Sequence, residues 1–185
     1  MVVRVVRVIA GQAKGRRLKT PAGQGTRPMM DRAKEALFSS LGSRVTGADV
    51  LDLYAGSGAL GIEALSRGAA AAVFVEHGWK ALQALRANLE AVGLGGEIIG
   101  GTAEEFLSTT DRSFTLMFID PPYRLSLALL GDVLAAAADR LGNGGVMVVH
   151  RRAGEAAPPA PPGLSRIDDR RYGDTQLWIY QRDES

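Results

Sequence analysis

The sequence contains no cysteine and only two histidines among its 185 residues. The lack of cysteine excludes disulfide bonds and thiolate metal sites, and His77 and His150 are too few for a histidine-rich metal site. We therefore expect no protein-bound metal. No apolar run reaches the roughly 18 residues that a membrane-spanning helix needs. Since no signal peptide is evident after Met1 either, we expect a cytoplasmic protein.

Basic residues are concentrated at one end of the chain. Residues 1–35 contain nine basic and two acidic side chains, although the net charge of the whole chain is only +2. A basic end on a mildly acidic body suggests that this end meets a polyanion. A solubilising terminal face would explain the charge alone equally well. The nine basic residues are Arg4, Arg7, Lys14, Arg16, Arg17, Lys19, Arg27, Arg32 and Lys34.

The same basic segment has the pattern of a β-hairpin. Two β-prone stretches, residues 2–9 and 17–20, flank turn signals between Gly11 and Gly15.

Pro28 and the helical spacing of the apolar residues that follow it predict a helix up to Leu41. We divide the chain into a hairpin extension, residues 1–25, and a main domain, residues 26–185. Because the motif residues lie in the main domain, we expect that domain to fold without residues 1–20.

From residue 48 onward the pattern alternates between strands and helices. The predicted strands cover residues 50–55, 72–76, 97–100, 114–119 and 146–149. The helix before the last of these strands is predicted from the spacing of Leu127, Leu130, Leu134, Ala137 and Leu141. Two later strands, near residues 164–168 and 176–181, are expected to pair and complete the sheet. The pattern predicts an α/β fold with an open, doubly wound, mostly parallel sheet of seven strands.

A glycine segment follows the first strand of this sheet. Gly56, Gly58 and Gly61 have the spacing of a dinucleotide-binding turn, in which a ligand approaches backbone N–H groups at the start of a helix. Glu76 ends the second strand, where an acid would hold ribose hydroxyls. Asp52 lies inside the buried first strand, so it needs a partner such as a ligand's ammonium group or a water molecule. Glycines that only tighten a turn remain the alternative.

The segment Asp120-Pro121-Pro122-Tyr123 follows the fourth strand, at the edge where open α/β sheets bind ligands. The prolines stiffen the turn, so the Asp120 carboxylate and the Pro121 carbonyl are fixed as acceptors. Two acceptors that converge on one amino group would direct its lone pair toward an electrophile. Tyr123 supplies a flat face for stacking, so the segment predicts a site for the exocyclic amine of a base.

Other residues near the predicted site carry weaker signals. His77 is expected at the surface or in the wall of the ligand pocket, and Trp79 is expected to pack or to stack near it. His150, Arg151 and Arg152 follow the fifth predicted strand, where a solvated rim is expected.

Taken together, these segments resemble the RsmD-type bacterial 16S rRNA guanine-N2 methyltransferases. The similarity runs from about residue 5 to the C-terminus and is carried by Arg7-Val8-Ile9-Ala10-Gly11, Lys14-Gly15-Arg16-Arg17-Leu18, Thr26-Arg27-Pro28, residues 31–38, the glycine segment 51–68 and Asp120-Pro121-Pro122-Tyr123. Four segments depart from the family pattern. Met29-Met30 stands where small polar residues are usual, and Gln12-Ala13 lacks a frequent aromatic residue. Thr102-Ala103 stands where an acid or amide commonly meets an adenine, and His150-Arg151 stands where acidic residues are common.

The resemblance implies a class I methyltransferase (Rossmann-like) fold with an N-terminal hairpin, and S-adenosylmethionine as cofactor. It implies methylation of the 2-amino group of one guanine in 16S rRNA, within the 30S subunit or a late precursor. The predicted catalytic residues are Asp120, Pro121 and Tyr123. The predicted cofactor-binding residues are Asp52, Tyr54, Gly56, Ser57, Gly58, Glu76, His77, Thr102, Ala103 and Asp120. The predicted RNA-binding residues are Arg7, Lys14, Arg16, Arg17 and Arg27.

Three other functions fit part of the sequence. A DNA adenine or cytosine amino-methyltransferase can use the same Asp-Pro-Pro-Tyr, but the chain has no sizeable separate target-recognition domain. An NAD-dependent oxidoreductase shares the glycine turn, but no hydride-relay His or Tyr–Lys pair stands at the sheet edge. A non-catalytic RNA-binding assembly factor would have no need of Asp120 and the glycines.

Overall fold

The computed structural model describes residues 6–21, 29 and 31–183. Its strands are β1 Val6–Arg7, β2 Arg17–Leu18, β3 Asp49–Leu53, β4 Ala71–Glu76, β5 Glu97–Gly100, β6 Phe114–Ile119, β7 Leu141–Arg152, β8 Leu164–Tyr172 and β9 Thr175–Arg182. Its helices are α1 Asp31–Leu41, α2 Ala59–Ser66, α3 Trp79–Val92, α4 Ala103–Thr109 and α5 Leu127–Ala138, with a 3-10 turn at Gly42–Arg44. Among the helices of this described part, none is both long and apolar enough to cross a membrane.

Seven strands form one sheet in the order β5-β4-β3-β6-β7-β9-β8, and β1 pairs with β2 in a separate antiparallel hairpin. The strands from β5 to β7 are parallel, and β9 is antiparallel to both β7 and β8. This confirms the predicted open, mostly parallel, seven-stranded sheet with an N-terminal hairpin. The strand order reverses between β3 and β6, and such a switch point leaves a crevice beyond the carboxyl ends of the two strands.

The central strands are buried on both faces, as parallel strands covered by helices must be. Along β3, Val50 packs into one hydrophobic cluster and Leu51 and Leu53 pack into the other. This accounts for the nearly continuous apolar runs that predicted these strands. A sheet held from both sides gives the carboxyl ends of β3, β4 and β6 fixed positions.

The boundary between α5 and β7 differs from the prediction. Leu141 was predicted on the helix, but α5 ends at Ala138 and Leu141 begins β7, where it lies opposite Phe114 of β6. At its other end β7 continues to Arg152, three residues beyond the predicted end. The reason is its antiparallel ladder with β9, which pairs Val146 through Arg152 with Gln181 through Thr175.

The hairpin packs into the same core as the main domain. Val6, Val8, Ala13 and Leu18 are buried in one cluster with residues of α1, α2 and β3. Gly11 has a φ of 83°, and a Cβ there would lie 1.7 Å from the carbonyl oxygen of Ser66, so only glycine fits this approach to α2. The hairpin is therefore part of the packed structure, and we expect removal of residues 1–20 to destabilise the fold, contrary to the sequence-based expectation.

The predicted start of α1 can be compared only in part. The helix begins at Asp31, and Pro28 and Met30, from which its start was predicted, lie outside the described residues. Lys34, which was counted with the basic end, is buried on this helix.

Candidate functional site

The glycine turn lies between β3 and α2. Gly58 and Gly61 allow close packing, because a Cβ at Gly58 would lie 2.5 Å from Leu85 and one at Gly61 would lie 2.3 Å from Phe74. Gly56 is different: its φ is 57°, and the nearest heavy atom to an added Cβ is the Tyr54 carbonyl at 4.0 Å. Gly56 therefore borders open space at the sheet edge, where a ligand can approach the backbone.

The buried Asp52 has a backbone partner. Asp52 is buried, and its Oδ2 accepts a hydrogen bond from the Gly61 N–H at 2.9 Å. Burial raises the pKa of Asp52 well above its usual range, and the nearby charges of Asp120 and Glu76 raise it further. The Asp52 carboxyl thus supports the first turn of α2, and three acidic side chains interact at this end of the sheet.

Glu76, at the end of β4, is held by three backbone N–H groups. Its Oε2 accepts from Gly56 at 2.8 Å, and its Oε1 accepts from His77 at 2.9 Å and from Gly78 at 2.6 Å. The structure therefore links the predicted ribose-binding acid directly to the glycine turn. The neighbouring side chains are open to solvent: that of His77 is 56% exposed and Trp79 is 66% exposed. Trp79 does not pack in the core, so the expectation of packing is wrong and only that of stacking on a ligand is left.

Tyr54 and Thr102 also lie beyond the carboxyl ends of the parallel strands, Tyr54 after β3 and Thr102 between β5 and α4. Tyr54 is a non-glycine residue with positive φ, 59°, and its hydroxyl lies 3.5 Å from Glu104 Oε1. Burial, followed by the charge of Glu104, raises the pKa of Tyr54. Thr102 caps α4: its hydroxyl accepts from the Glu105 N–H, and its own N–H donates to the Glu105 carboxylate. The N–H and the hydroxyl oxygen of Thr102 are therefore engaged in this capping box.

The Asp120 segment lies beside the glycine turn because β3 and β6 are neighbours. Leu53 and Ile119, the last residues of the two strands, are opposite each other in the ladder, and the Asp120 N–H donates to the Leu53 carbonyl at 3.4 Å. The Asp120 side chain is partly exposed, Pro121 is buried and Tyr123 is partly buried. The predicted donor side and acceptor side of the reaction thus meet at the switch point of the sheet.

His150 and Arg151 are buried, so the expectation of a solvated rim is wrong for both. The His150 side chain is 4% exposed, and its Nδ1 lies 2.6 Å from Asp120 Oδ1. The Arg151 guanidinium donates to the carbonyls of Pro122, Tyr123 and Leu125 at 3.2–3.3 Å. Both residues therefore hold the Asp-Pro-Pro-Tyr segment from the adjacent strand. The exposed Arg152 agrees with the expectation.

The basic hairpin presents a charged surface away from its packed side. Lys14, Arg16, Arg17 and Lys19 are exposed, and Arg7, 58% exposed at its side chain, pairs with Asp31 at 2.7 Å. Arg27, which was also predicted to bind RNA, lies outside the described residues. Within the part of the chain that the structure describes, no group of three or more His, Asp or Glu side chains is arranged to hold a metal ion.

Comparison with known proteins agrees with this architecture. Residues 6–181 match the family described as Conserved hypothetical protein 95. The chain is 35% identical to YlbH of Bacillus subtilis strain 168, over 96% of this chain and 99% of that protein. It is 34% identical to ribosomal RNA small subunit methyltransferase D of Escherichia coli K12, over 96% of this chain and 90% of that protein. The solved structure of the E. coli protein yhhF superposes with a TM-score of 0.87 at 33% identity, covering 98% of this chain and 100% of that one.

Proposed function

Because the chain belongs to the Conserved hypothetical protein 95 family, a family of S-adenosylmethionine-dependent methyltransferases that includes RsmD, we propose that it methylates the 2-amino group of a guanine in 16S rRNA. The observation that carries this proposal is the juxtaposition of two segments. The glycine turn after β3 and Asp120-Pro121-Pro122-Tyr123 after β6 end on adjacent parallel strands.

The edge of the sheet fits this cofactor in charge and in shape. Asp52, Glu76 and Asp120 interact electrostatically there, which suits a ligand that carries both a sulfonium and an ammonium group. The open space beside Gly56 admits the ligand to the backbone. S-adenosylmethionine, when bound, supplies a methyl group that its sulfonium has already activated.

Several of the predicted cofactor residues would contact different parts of the cofactor. Glu76, fixed by three N–H donors, would accept hydrogen bonds from ribose hydroxyls, and the turn residues Gly56, Ser57 and Gly58 would line the cofactor. Since the capping box engages Thr102, the N–H of Ala103, at the unpaired first turn of α4, is the better adenine contact. Tyr54 and His77 would flank the cofactor from either side of the turn.

The acceptor side has to position a poor nucleophile. The lone pair of the guanine 2-amino group is delocalised into the ring, so alignment toward the methyl group is the main contribution that the protein can make; in ideal cases it supplies roughly 7–11 kcal/mol. Hydrogen bonds from the amine to the Asp120 carboxylate and the Pro121 carbonyl would favour an attacking geometry. Tyr123 would stack on the base, which must be unpaired or flipped out to reach the site.

Glu76→Gln should weaken binding of S-adenosylmethionine by about 1–3 kcal/mol, because a charged acceptor for the ribose becomes a neutral one. Gln has nearly the same volume, but its NH2 group replaces one of the two oxygens that accept the N–H groups of Gly56, His77 and Gly78, so thermal unfolding of the variant is measured beside its affinity. Isothermal titration calorimetry measures the affinity, with Glu97→Gln, an exposed acid at the start of β5, as the matched control. Unchanged affinity in Glu76→Gln would show that the acid does not bind the cofactor.

The exposed hairpin side chains Lys14, Arg16 and Arg17 should bind the phosphate backbone of the RNA. Replacing all three by Gln should reduce the log–log salt dependence of RNA binding by roughly 0.7–0.9 for each phosphate that the protein no longer neutralises. Filter binding at several salt concentrations measures this slope. Arg112→Gln, Arg166→Gln and Arg171→Gln together remove the same charge away from the hairpin and should leave the slope nearly unchanged. Equal slopes in the two triple variants would contradict docking by the hairpin.

The proposed activity is tested by transfer of a labelled methyl group from S-adenosylmethionine to 30S particles, naked 16S rRNA and duplex DNA. We expect label in rRNA, most of it with the assembled particle, and none in DNA. Label in DNA alone would favour the amino-methyltransferases of DNA instead.

A further inference from the structure

His150 is buried against Asp120, and the proposed mechanism has given it no role. We propose that His150 is the positioning residue of the acceptor site: it orients the Asp120 carboxylate toward the base amine, and its protonation state sets how strongly that carboxylate accepts. This inference rests on the proposed methylation of a base amine and adds a residue to it.

The contact between the two side chains leaves one Asp120 oxygen available. His150 Nδ1 lies 2.6 Å from Oδ1 of Asp120. Among the described residues, no other side chain hydrogen-bonds this carboxylate, so Oδ2 is left for a ligand. A carboxylate held at one oxygen by a buried ring loses its rotational freedom, which fixes where the second oxygen points.

The imidazole is itself held in place. It lies on β7, whose residue Val149 is paired with Ile119 at the end of β6. Its ring and that of Tyr123 are nearly perpendicular, with an interplanar angle of 73° and centroids 6.3 Å apart. Its Nε2 is buried and has no hydrogen-bond partner among the described residues, so its bond to Asp120 decides which nitrogen carries the proton in the neutral ring.

The charges around His150 favour its protonation. Burial by itself lowers the pKa of His150, but the charge of Asp120 and the hydrogen bond to it raise the pKa, and the result lies above the usual value of 6.5. Arg151 on the same strand opposes this change, and Glu155 in the following turn supports it. His150 therefore changes charge at a pH somewhat above that of an ordinary histidine.

The charge of His150 bears directly on the transfer step. The amine nitrogen forms its bond to the methyl carbon with its lone pair, the carbon–sulfur bond breaks with its electrons going to sulfur, and the product amine then gives up one proton to Asp120. An imidazolium at Oδ1 withdraws charge from the carboxylate, whereas a neutral imidazole still donates from Nδ1 and leaves the carboxylate its full charge. The transfer rate should therefore rise with pH through the pKa of His150 and then level off.

Two substitutions separate orientation from charge. His150→Phe keeps an aromatic ring but removes the donor, and we expect its single-turnover rate to fall by about tenfold or more with unchanged affinity for S-adenosylmethionine. His150→Asn offers a neutral donor at the position of Nδ1, so its rate should approach the upper wild-type level and show no inflection across the pH range where wild type has one. A role in packing alone would give wild type no inflection from His150, and it would give His150→Asn, which keeps a donor, no advantage in rate over His150→Phe, which keeps the ring.

A spectroscopic measurement tests the pair without any catalysis. The chain has two histidines, so imidazole NMR signals are assigned by comparison with His150→Asn, which retains only His77. We expect His150 to titrate above pH 6.5 in wild type and at a distinctly lower pH in Asp120→Asn, where the charge of Asp120 is lost and only that of Glu155 still opposes the effect of burial.

The outcomes separate the inference from the proposed function. If wild type methylates no amine in rRNA or DNA, the proposed function is wrong, and the catalytic role of His150 falls with it. If wild type is active but His150→Asn keeps the wild-type inflection, or Asp120→Asn leaves the His150 titration unmoved, the inference about His150 is wrong and the methyltransferase proposal stands.

Discussion

Asp120→Ala should lower the rate of methyl transfer by about a thousandfold or more and leave the affinity for S-adenosylmethionine close to that of wild type. The reason is the division of the site between neighbouring strands. In the proposed mechanism the glycine turn and Glu76 belong to the donor side, and the Asp120 carboxylate, which lies 2.6 Å from His150 Nδ1, faces the base amine. Loss of the carboxylate therefore removes the acceptor of the amine and one of the three acidic charges at this edge of the sheet, but none of the groups predicted to bind ribose or adenine.

Asp120→Asn is the control that keeps the shape of the side chain. Its amide oxygen can still accept a hydrogen bond, so we expect it to retain part of the rate that Asp120→Ala loses. Single-turnover transfer and calorimetry of cofactor binding, measured on the same preparations, give both quantities. Turnover by Asp120→Ala at near the wild-type rate would refute the proposed amine site.

Glu63→Ala should lower the free energy of unfolding by about 3–5 kcal/mol, because it breaks a fully buried ion pair from one side. Glu63 of α2 accepts hydrogen bonds from the N–H groups of Ile9 and Ala10, at 2.8 and 3.1 Å, just after β1. It also pairs with Lys34 of α1 at 3.3 Å and with Arg67 at 2.7 Å. The substitution would leave a buried ammonium without its carboxylate and two backbone donors without an acceptor.

The pKa of Lys34 supports this interpretation. Burial lowers it, and Glu63 acts against that change. The double variant Lys34→Met, Glu63→Gln should therefore be more stable than Glu63→Ala, because neither partner is left as an unpaired charge. Urea denaturation measures both, with Glu90→Ala, an exposed acid of α3, as the control expected to lie within about 0.5 kcal/mol of wild type. A decrease of less than about 1 kcal/mol in Glu63→Ala would show that the hairpin does not depend on this network.

Most of the fold could be predicted from the sequence, because its signals are local. Strand β6 was predicted at Phe114–Ile119 and β5 at Glu97–Gly100, as the structure has them. Apolar runs ended by glycine or by Asp-Pro-Pro are sufficient to locate such buried parallel strands. The end of β7 could not be located in this way, since residues 150–152 are polar and are held in the strand by their pairing with β9.

The positions of charged side chains depended on contacts between distant segments. Lys34 looks like one more residue of a basic end, and only its approach to Glu63 of α2 shows that it is buried. His150 was expected at a rim because its carboxylate partner lies just beyond the end of β6, 30 residues earlier. The sequence did contain a useful signal, because His150 directly follows the apolar strand at residues 146–149, which is the next predicted strand after Asp-Pro-Pro-Tyr.

The central claim is that this chain methylates the 2-amino group of a guanine. The most direct test is nucleoside analysis by mass spectrometry of 16S rRNA from 30S particles after incubation with the protein and labelled S-adenosylmethionine. The account predicts labelled N2-methylguanosine, at one position and absent with Asp120→Ala. Label recovered as a methylated adenosine or cytidine, or N2-methylguanosine formed equally well by Asp120→Ala, would contradict it.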